Sequence, residues 1–543
     1  MIPHRFNAKL ALLALLGLIL FFGSAQIASF EKDNGMQPEL SPPLVSKVQA
    51  TETARAFLLL DNPSLIVTDT NVIYDSNKTL SAYLQKNKLT KAYKTEFNKT
   101  FPLDFWVVQI WDELANTRYI VNVSMAESHV LGWSTESKIM LTDEGKADTT
   151  AASQAQGVAE QYLHKQGYDL AAYEAKPATL KNKIYLSEFE KTKSSIGKAK
   201  QKLSVQVSKD KVIAFSVDFI VPEADSTWIK SQESYGQFMS LISLAFMLIF
   251  AITAGVLSIM KRKLISFGRG WFLTLIFLAI NVVGTFNTLP AAGLDLGDHN
   301  ASVYLIIYLA FTIGINFLLA AAVYFTLITG VQMWKERGWN PWPRWKDARF
   351  GVDVFYGMGR GYLICLFIIG VQQALFLFAG KTFHSFAIND PSQSEYNMLW
   401  PILFPTMAWM AAISEEIVFR LFGIILMQKL LKFRFLAILI PSVIWALGHT
   451  SYSLYPSYTR LFEVTVLGFI FSLTFLRYGL ITAIFTHAIM DSLLMGLSLL
   501  YSTEHTSYPL IGIFYIVFPA LLAYSIRFLK RRSPLSEIPD AAT

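Results

Sequence analysis

The stretch Ile413-Ser-Glu-Glu-Ile-Val-Phe-Arg420 places two adjacent carboxylates and a guanidinium inside a long apolar run at 398–431. A charged residue near the bilayer centre costs roughly 2.5–3.5 kcal/mol on insertion scales, so charges inside membrane helices usually mark functional sites. Glu416 and Arg420 are four residues apart, which predicts an ion pair on one helix face. Glu415 lies about 100° further round the helix and remains outside that pair.

Two later apolar segments each add a histidine. The first ends with Trp445-Ala-Leu-Gly-His449, and the second contains His487-Ala-Ile-Met-Asp491. In a helix, the imidazole and carboxylate of the second motif share one face. Either histidine alone is more easily explained as a hydrogen-bonded packing residue. Three such motifs on three successive apolar helices predict a polar site inside the membrane.

The three motifs resemble the pattern of the CPBP intramembrane proteases, which include the CAAX-processing endoproteases and bacterial Abi-type proteins. That pattern is EExxxR, then FxxxH, then HxxxN or HxxxD. The matching residues are Glu415, Glu416 and Arg420, then Trp445 and His449, then His487 and Asp491. The resemblance covers about 398–500. Trp445 stands where the family has Phe, an exchange that we expect to be neutral.

The resemblance implies an intramembrane endopeptidase acting on a membrane-associated or lipidated protein or peptide. Peptide hydrolysis needs an activated water and a donor for the oxyanion. Glu415 is the expected general base, His449 holds the same water, and His487 faces the oxyanion. Glu416 also belongs to the predicted catalytic set, where it supports the helix and the local field together with Arg420.

Asp491 leaves two alternatives open, because an ionised carboxylate accepts hydrogen bonds and cannot donate one to an oxyanion. Asp491 either orients His487 through a ring N–H or completes a metal site with Glu415, His449 and His487. That set suits zinc or a similar divalent ion. The sequence has no HExxH motif, so we favour direct activation of water, without a metal cofactor.

Composition places this site in a membrane protein. Of the 543 residues, 53% are apolar and only 16% are charged, well below the usual quarter. Cys365 is the single cysteine, which excludes an intrachain disulfide. The net charge of +7 comes from basic residues beside apolar segments, so the lipid bilayer and a peptide substrate are the expected partners, and nucleic acid is not. The sequence leaves the oligomeric state undetermined.

Ten apolar segments are long enough to span a membrane, and they lie at 10–27, 239–260, 271–291, 302–332, 362–380, 398–430, 433–452, 460–478, 480–500 and 508–528. Basic linkers alternate with linkers poor in Lys and Arg, and the positive-inside rule then places both termini in the cytoplasm. We therefore expect a polytopic α-helical protein of a bacterial cell membrane. In this topology His449 falls near the outer end of its helix, so that helix must be shifted or kinked at Pro441 for the site to form.

The chain divides into four regions. Residues 1–30 are interpreted as a signal anchor and first membrane helix, with a cleaved signal peptide as the alternative. Residues 31–235 have soluble composition and predict an extracytoplasmic α+β domain. Residues 236–530 form the membrane domain, with the protease-like core at 398–500, and 531–543 form a cytoplasmic tail.

Residues 31–235 contain a weak internal sequence similarity between two pairs of segments, which we call the echo. Val121-Asn-Val-Ser124 and Val130-Leu-Gly-Trp-Ser134 resemble Val205-Gln-Val-Ser208 and Val212-Ile-Ala-Phe-Ser216. Each pair of segments has a helical stretch upstream. The pattern predicts a helix-then-hairpin unit that is used twice.

The sequence leaves two other functions open. The chain is either a non-proteolytic member of the family, acting as a scaffold or immunity factor, or a proton-coupled transporter whose buried Glu, His and Asp form a relay. The membrane region shows no evident repeat of the kind that many transporters have. The glycine-rich Gly357-Met-Gly-Arg-Gly361 lacks a preceding strand and the Lys-Ser/Thr of a phosphate loop, so we interpret it as a flexible entry to a membrane helix.

Overall fold

The computed structural model describes residues 7–30, 43–114, 116–137, 149–193, 195–208, 210–292, 302–502 and 504–532. Residues 31–42, at the start of the expected extracytoplasmic domain, and most of the expected tail at 531–543 lie outside the described residues. Within the described ranges, the chain forms a β-sheet domain and a bundle of apolar helices.

The elements follow in chain order. The first half of the β domain is preceded by α1 (Ala8–Phe30) and contains α2 (Lys47–Asp61), β1 (Val67–Ser76), α3 (Lys78–Lys86), α4 (Thr90–Glu96), β2 (Asp104–Asp112), β3 (Thr117–Ser124) and β4 (Val130–Ser137). The second half contains α5 (Thr149–Lys165), β5 (Tyr173–Ala175), β6 (Thr179–Lys181), β7 (Ile184–Lys191), β8 (Lys200–Ser208) and β9 (Lys211–Ile220).

The bundle contains α6 (Glu223–Met260), α7 (Trp271–Asn287), α8 (Ser302–Lys335), α9 (Phe350–Phe383), β10 (Phe386–Ala387), α10 (Met407–Glu415), α11 (Ile424–Leu430), α12 (Arg434–Leu447), β11 (Leu454–Tyr455), α13 (Ser457–Tyr478), α14 (Leu480–Tyr501) and α15 (Tyr508–Arg532). Within the described residues, seven of these helices are long and apolar enough to cross a membrane: α1, α6, α8, α9, α13, α14 and α15. The chain is therefore an integral membrane protein. Two further apolar helices, α7 and α12, are shorter, and the expected count of ten spans stays a prediction.

The span expected over 398–430 is not one regular helix. It begins with the 3-10 segment Pro401–Thr406, continues through α10, and widens into a π-helical segment at Glu416–Gly423 before α11. Two prolines in the 3-10 segment disfavour a regular α-helical start. π-helical turns are rare and concentrate at functional sites, and here the segment begins at Glu416 and includes Arg420.

The nine-stranded antiparallel sheet has the order β1-β2-β3-β4-β9-β8-β7-β5, with β6 also paired to β7. In each half of the domain a helix precedes the strands, namely α2 before β1 and α5 before β5. The halves join edge to edge because β4 pairs with β9. Alternate residues of β8 are buried, as expected for a strand with one face on a core.

The echo in the sequence corresponds to equivalent hairpins of the two halves, β3–β4 and β8–β9. Both hairpins have a register shift at the same place in the echo, between Asn122 and Val123 and between Gln206 and Val207. Trp133 pairs with Phe215 across the junction, and these two residues hold equivalent positions in the echo. Duplication stays a proposal, which this pseudo-symmetry supports.

The β domain shares its core with loops of the bundle. Tyr396, in the loop after α9, lies with its ring centroid 5.9 Å from that of Tyr74 and 5.7 Å from that of Trp106. The Asn397 side chain accepts a hydrogen bond from the Tyr74 backbone N–H at 2.7 Å and donates one to its carbonyl at 2.8 Å. The expected boundary at 235/236 falls inside the continuous helix α6, so the domain and the bundle meet through covalent, polar and apolar contacts.

A second contact reaches the loop that follows His449. Strand β11 of that loop pairs with β10, and the Trp228 ring of α6 lies 6.2 Å from that of Tyr455. The side chain of Lys78 forms an ion pair with Asp390 at 2.9 Å. The β domain is packed on the loop that follows His449, because Tyr455 of that loop shares a buried cluster with Leu80 and Tyr83 of α3.

Charged groups are buried where the two parts meet. Burial lowers the pKa of the Lys47 ammonium, and the nearby Glu504 carboxylate opposes that change. Burial raises the pKa of Glu504, which Lys47 partly offsets, and burial likewise raises the pKa of Glu395. For these three groups desolvation therefore outweighs charge pairing.

Helix α1 packs against α9 through two glycines. A Cβ atom on Gly370 would overlap the carbonyl oxygen of Gly17, a backbone approach typical of small residues in membrane helices. Leu10 and Ala14 are buried, and Asn7 donates a hydrogen bond to the Tyr478 hydroxyl at 3.2 Å. In this structure α1 is a packed member of the bundle.

We expect Gly370→Leu to destabilise the protein by about 3 kcal/mol or more, because overpacking of this kind displaces backbone. Gly359→Leu is the matched control, since a Cβ on Gly359 meets nothing within 4 Å. Thermal unfolding of both variants in the same detergent provides the measurement. Equal midpoints for the two variants would show that the α1–α9 contact does not exist.

Candidate active site

Glu416 and Arg420 form the ion pair that their spacing predicts. The Arg420 Nη1 atom lies 3.2 Å from Glu416 Oε1, and both side chains are almost completely buried. The guanidinium carbon lies 4.1 Å from the centre of the Trp445 ring and 5.3 Å from that of Phe471. These cation–π contacts add to the ion pair, so Arg420 is held by charge and by stacking.

His487 of α14 is oriented by Glu416. Its Nδ1 lies 2.9 Å from Glu416 Oε1, and its ring stacks on Phe471 with 4.8 Å between centroids. A carboxylate at Nδ1 keeps a proton on this nitrogen. The sequence predicts a supporting role for Glu416 towards the helix and Arg420, and the structure adds this direct contact with the imidazole.

The other ring nitrogen of His487 faces two carboxylates. Nε2 lies 3.4 Å from Asp491 Oδ2 and 3.8 Å from Glu415 Oε2. The side chains of Glu415 and Asp491 retain 23% and 17% exposure, whereas Glu416 retains none. Asp491 therefore contacts the nitrogen that points towards the open part of the site, while Glu416 contacts the opposite one.

Trp445 makes a contact that Phe cannot make. Its indole Nε1–H donates a hydrogen bond to Glu415 Oε2, while the same ring lies against Arg420. The expectation that the exchange from Phe is neutral is therefore wrong in structural terms. The Trp445 side chain thus positions Glu415, the predicted base, and packs on the guanidinium of Arg420.

His449 reaches the cluster because α12 is short. Its 14 residues are about 21 Å long, less than the roughly 30 Å of a bilayer core. His449 follows in a turn, with Nδ1 2.9 Å from the Trp445 carbonyl oxygen and its ring 4.8 Å from the indole, and it interacts electrostatically with Glu415. Pro441 lies inside α12, which continues as one helix to Leu447.

A second charged network adjoins the site, and the sequence analysis did not predict it. Both carboxylate oxygens of Glu463 accept hydrogen bonds from Arg460, at 2.9 and 2.7 Å, and Gln372 donates to one of them at 2.8 Å. Arg460 interacts electrostatically with His449 and Asp491. The available signal was a charged i, i+3 pair in the apolar segment of α13, the same kind of signal that identifies Glu416 and Arg420.

The geometry brings together all of the predicted site residues, by direct contact or, for His449, through Trp445. Among the described residues, no group of three or more His, Cys, Asp or Glu side chains has the geometry of a metal site. The hypothesis of a divalent metal such as zinc stays untested. A partly exposed carboxylate beside an oriented imidazole supplies, without further groups, a proton acceptor and a hydrogen-bond donor.

Comparison with known proteins agrees with the motifs. Residues 397–493 match the family model described as Type II CAAX prenyl endopeptidase Rce1-like, so the resemblance is confirmed over this segment, which supports a membrane peptidase at the family level. No curated protein matches the chain. Among solved structures, the Bacillus megaterium YpeB C-terminal domain matches with 13% identity and a TM-score of 0.20, covering 35% of this chain and 74% of that one. That TM-score is too low to support a conclusion about the fold.

Proposed function

We propose that this protein is an intramembrane endopeptidase that hydrolyses a peptide bond of a membrane-associated or lipidated protein or peptide. The observation that carries the proposal is the pairing of Glu415 with His487. Their side chains are 3.8 Å apart. The fully buried Glu416 holds the imidazole at its other nitrogen, Nδ1. On its Nε2 side the imidazole faces Glu415 and Asp491, and both of these carboxylates are partly exposed.

In the proposed reaction, Glu415 removes a proton from a water molecule as the water oxygen attacks the scissile carbonyl carbon. The carbonyl oxygen becomes an oxyanion, which accepts a hydrogen bond from Nε2–H of His487, whose imidazolium form carries a proton on each ring nitrogen. The C–N bond then breaks, and protonated Glu415 returns the proton to the leaving amine. The products are a new carboxyl terminus and a new amino terminus, with no redox change.

The remaining side chains position these two groups. Glu416 holds the Nδ1 proton of His487, so that Nε2 faces the substrate. Asp491 accepts from Nε2–H until substrate arrives, a role that an ionised carboxylate can fill. His449 holds the attacking water from the side of Trp445, and Trp445 fixes the Glu415 carboxylate.

The test is cleavage of a membrane-anchored peptide library by purified protein in liposomes prepared in ¹⁸O-labelled water. Hydrolysis places one ¹⁸O atom in the new carboxyl terminus, which mass spectrometry detects. Binding of peptides without ¹⁸O-labelled products would instead indicate a non-proteolytic scaffold. Proton-dependent accumulation of a solute in the liposomes, again without cleavage, would indicate a transporter.

We expect Trp445→Phe to lower turnover about tenfold, because one hydrogen bond to a charged group is worth about 1.5–3 kcal/mol. The aromatic ring remains to stack on Arg420, so the unfolding midpoint changes little. Trp409→Phe is the matched control, because the Trp409 Nε1 is buried without a hydrogen-bond partner in the described part of the chain. Equal turnover in the two variants would contradict a positioning role for Trp445.

We further propose that the β domain lies outside the cytoplasm of a bacterial cell, as the basic linkers predict. Helix α9 supports this arrangement, since its 34 residues extend about 51 Å from the basic loop before it to a loop that contacts the β domain.

We expect single cysteines at Lys261 and Lys335, introduced into a Cys365→Ser background, to be shielded from an impermeant thiol reagent in intact cells. Cysteines at Asp210 and at Asn300, which lies outside the described residues, should react. Labelling after permeabilisation is the control for the first two positions. External labelling at Lys335 would overturn this topology.

A further inference from the structure

Helix α6 contacts the end of α12 that leads to His449. Three small residues of α6 make this contact, and they occupy i, i+4 and i+7 positions: Gly236, Ser240 and Ser243. This spacing places all three on one face of the helix, which we call the α6 contact face. Gly236 and Ser243 are buried there. The sequence motifs of the candidate site include none of these residues.

The end of α12 tightens just before His449. The N–H groups of residues 448, 449 and 450 bond to the carbonyl groups of residues 445, 446 and 447, at 3.1, 3.0 and 3.4 Å. These i to i−3 bonds are the 3-10 pattern that often ends an α-helix. Because the Gly448 N–H bonds to Trp445, the carbonyl of Ile444 loses the donor that a continued α-helix would supply.

Ser243 of α6 supplies the missing donor. Its hydroxyl donates a hydrogen bond to the Ile444 carbonyl oxygen at 2.7 Å, and both residues are buried. A buried carbonyl left without a donor is costly. The Ser243 hydroxyl therefore favours the tightened turn over a regular continuation of α12, in which the Gly448 N–H would fill this place.

The rest of the α6 contact face holds the turn on its other side. The Ser240 hydroxyl donates a hydrogen bond to the Leu447 carbonyl oxygen at 3.3 Å. The Thr450 hydroxyl lies 2.9 Å from the Gly236 carbonyl oxygen. A Cβ atom on Gly236 would lie 2.5 Å from the Thr450 carbonyl oxygen, so this close approach requires glycine. The α6 contact face thus contacts the chain both before and after His449.

A glycine also brings a neighbouring helix close to the other histidine of the site. A Cβ atom on Gly361 of α9 would lie 3.1 Å from the backbone nitrogen of Thr486, the residue before His487. The glycine-rich segment at 357–361 lies inside α9. It is a close-packed helix contact, and the flexible entry that the sequence predicts is wrong.

We propose that Ser243 is a positioning residue for His449, with Ser240 as a second and weaker one. This inference rests on the proposed peptidase, in which His449 holds the attacking water. In a regular α-helix the His449 N–H would bond to the Trp445 carbonyl, the oxygen that now lies 2.9 Å from the His449 Nδ1. By stabilising the tightened turn, Ser243 keeps this oxygen available to the imidazole and so sets the orientation of the ring.

The test uses the purified full-length protein in liposomes, with its histidines labelled with ¹⁵N. Ser243→Ala is compared with Ser258→Ala, the matched control. Ser258 is a buried serine of the same helix, and its hydroxyl donates to the carbonyl of Gly255 within α6 at 2.7 Å. Solid-state NMR records the ring-nitrogen signals of His449, which are assigned by their loss in His449→Gln. The kcat and KM for a cleavable membrane peptide are measured on the same samples.

We expect Ser243→Ala to shift the His449 Nδ1 signal and to lower kcat at least about fivefold, with KM changed less than about twofold. The KM is spared because His449 acts on the water and not on substrate binding. Ser258→Ala keeps the wild-type signal and kcat. An unshifted His449 signal in Ser243→Ala would overturn the inference, and so would a kcat equal to that of Ser258→Ala.

Two further results are decided by the same measurements. If Ser243→Ala does not fold, Ser240→Ala takes its place, because Ser240 is only partly buried. A shifted His449 signal in that variant supports the inference, and an unshifted one overturns it. A wild type that cleaves no peptide contradicts the proposed function alone, because the NMR signals are recorded without substrate and still show whether α6 orients His449.

Discussion

Replacement of Glu415 by Gln lowers peptide hydrolysis at least about 100-fold and leaves the protein folded, if Glu415 is the general base. Gln has the same shape and keeps a carbonyl oxygen to accept the hydrogen bond that Trp445 donates to Glu415. The change removes only the ability to accept a proton from water. Since the side chain is partly exposed, no buried charge is left without a partner.

The measurement is the turnover of a cleavable membrane peptide by the purified variant, with the unfolding midpoint recorded on the same sample. Glu336→Gln is the matched control, because Glu336 forms an ion pair with Lys261 outside the candidate site. We expect the control to retain wild-type turnover. Near-normal hydrolysis by the Glu415 variant would remove this residue from the mechanism.

Loss of either partner of the buried pair has the largest expected effect on stability. Removing one member of a buried ion pair typically costs about 3–5 kcal/mol, because the other charge is left uncompensated. Arg420→Met keeps an apolar side chain against Trp445 and leaves Glu416 without its counter-ion. Glu416→Gln leaves Arg420 without its counter-ion. The double variant leaves no charge uncompensated, so its loss of unfolding free energy is far below the sum of the two single losses.

A double-mutant cycle by unfolding in detergent measures this coupling. The orientation of His487 provides a second readout, because in Glu416→Gln the carbonyl oxygen of the new amide can still accept from Nδ1–H. We therefore expect Glu416→Gln to lose stability without losing turnover to the extent that Glu415→Gln does. Additive losses at Glu416 and Arg420 would show that they are not partners, and Glu416 would then become the rival candidate for the base.

Spacing along one helix determined part of this site directly. The i, i+4 distance between Glu416 and Arg420 predicts their ion pair, and the same spacing places His487 and Asp491 together. Apolar run lengths likewise predict the membrane helices, and the sequence echo predicts the paired hairpins of the β domain. These features depend on the helix and strand periods, which act over a few residues.

Only the tertiary structure decided which groups meet across the bundle. Glu416 contacts His487 across 71 positions of chain and Trp445 contacts Glu415 across 30, and no local period encodes either contact. The motif pattern identifies Trp445 only as an aromatic residue. In the fold, its N–H donates a hydrogen bond to Glu415, the predicted base. Nothing in the sequence indicated that Tyr396 would join the core of the β domain. Such contacts depend on how helices pack in three dimensions, where a shift of one turn, about 5.4 Å, exchanges every partner.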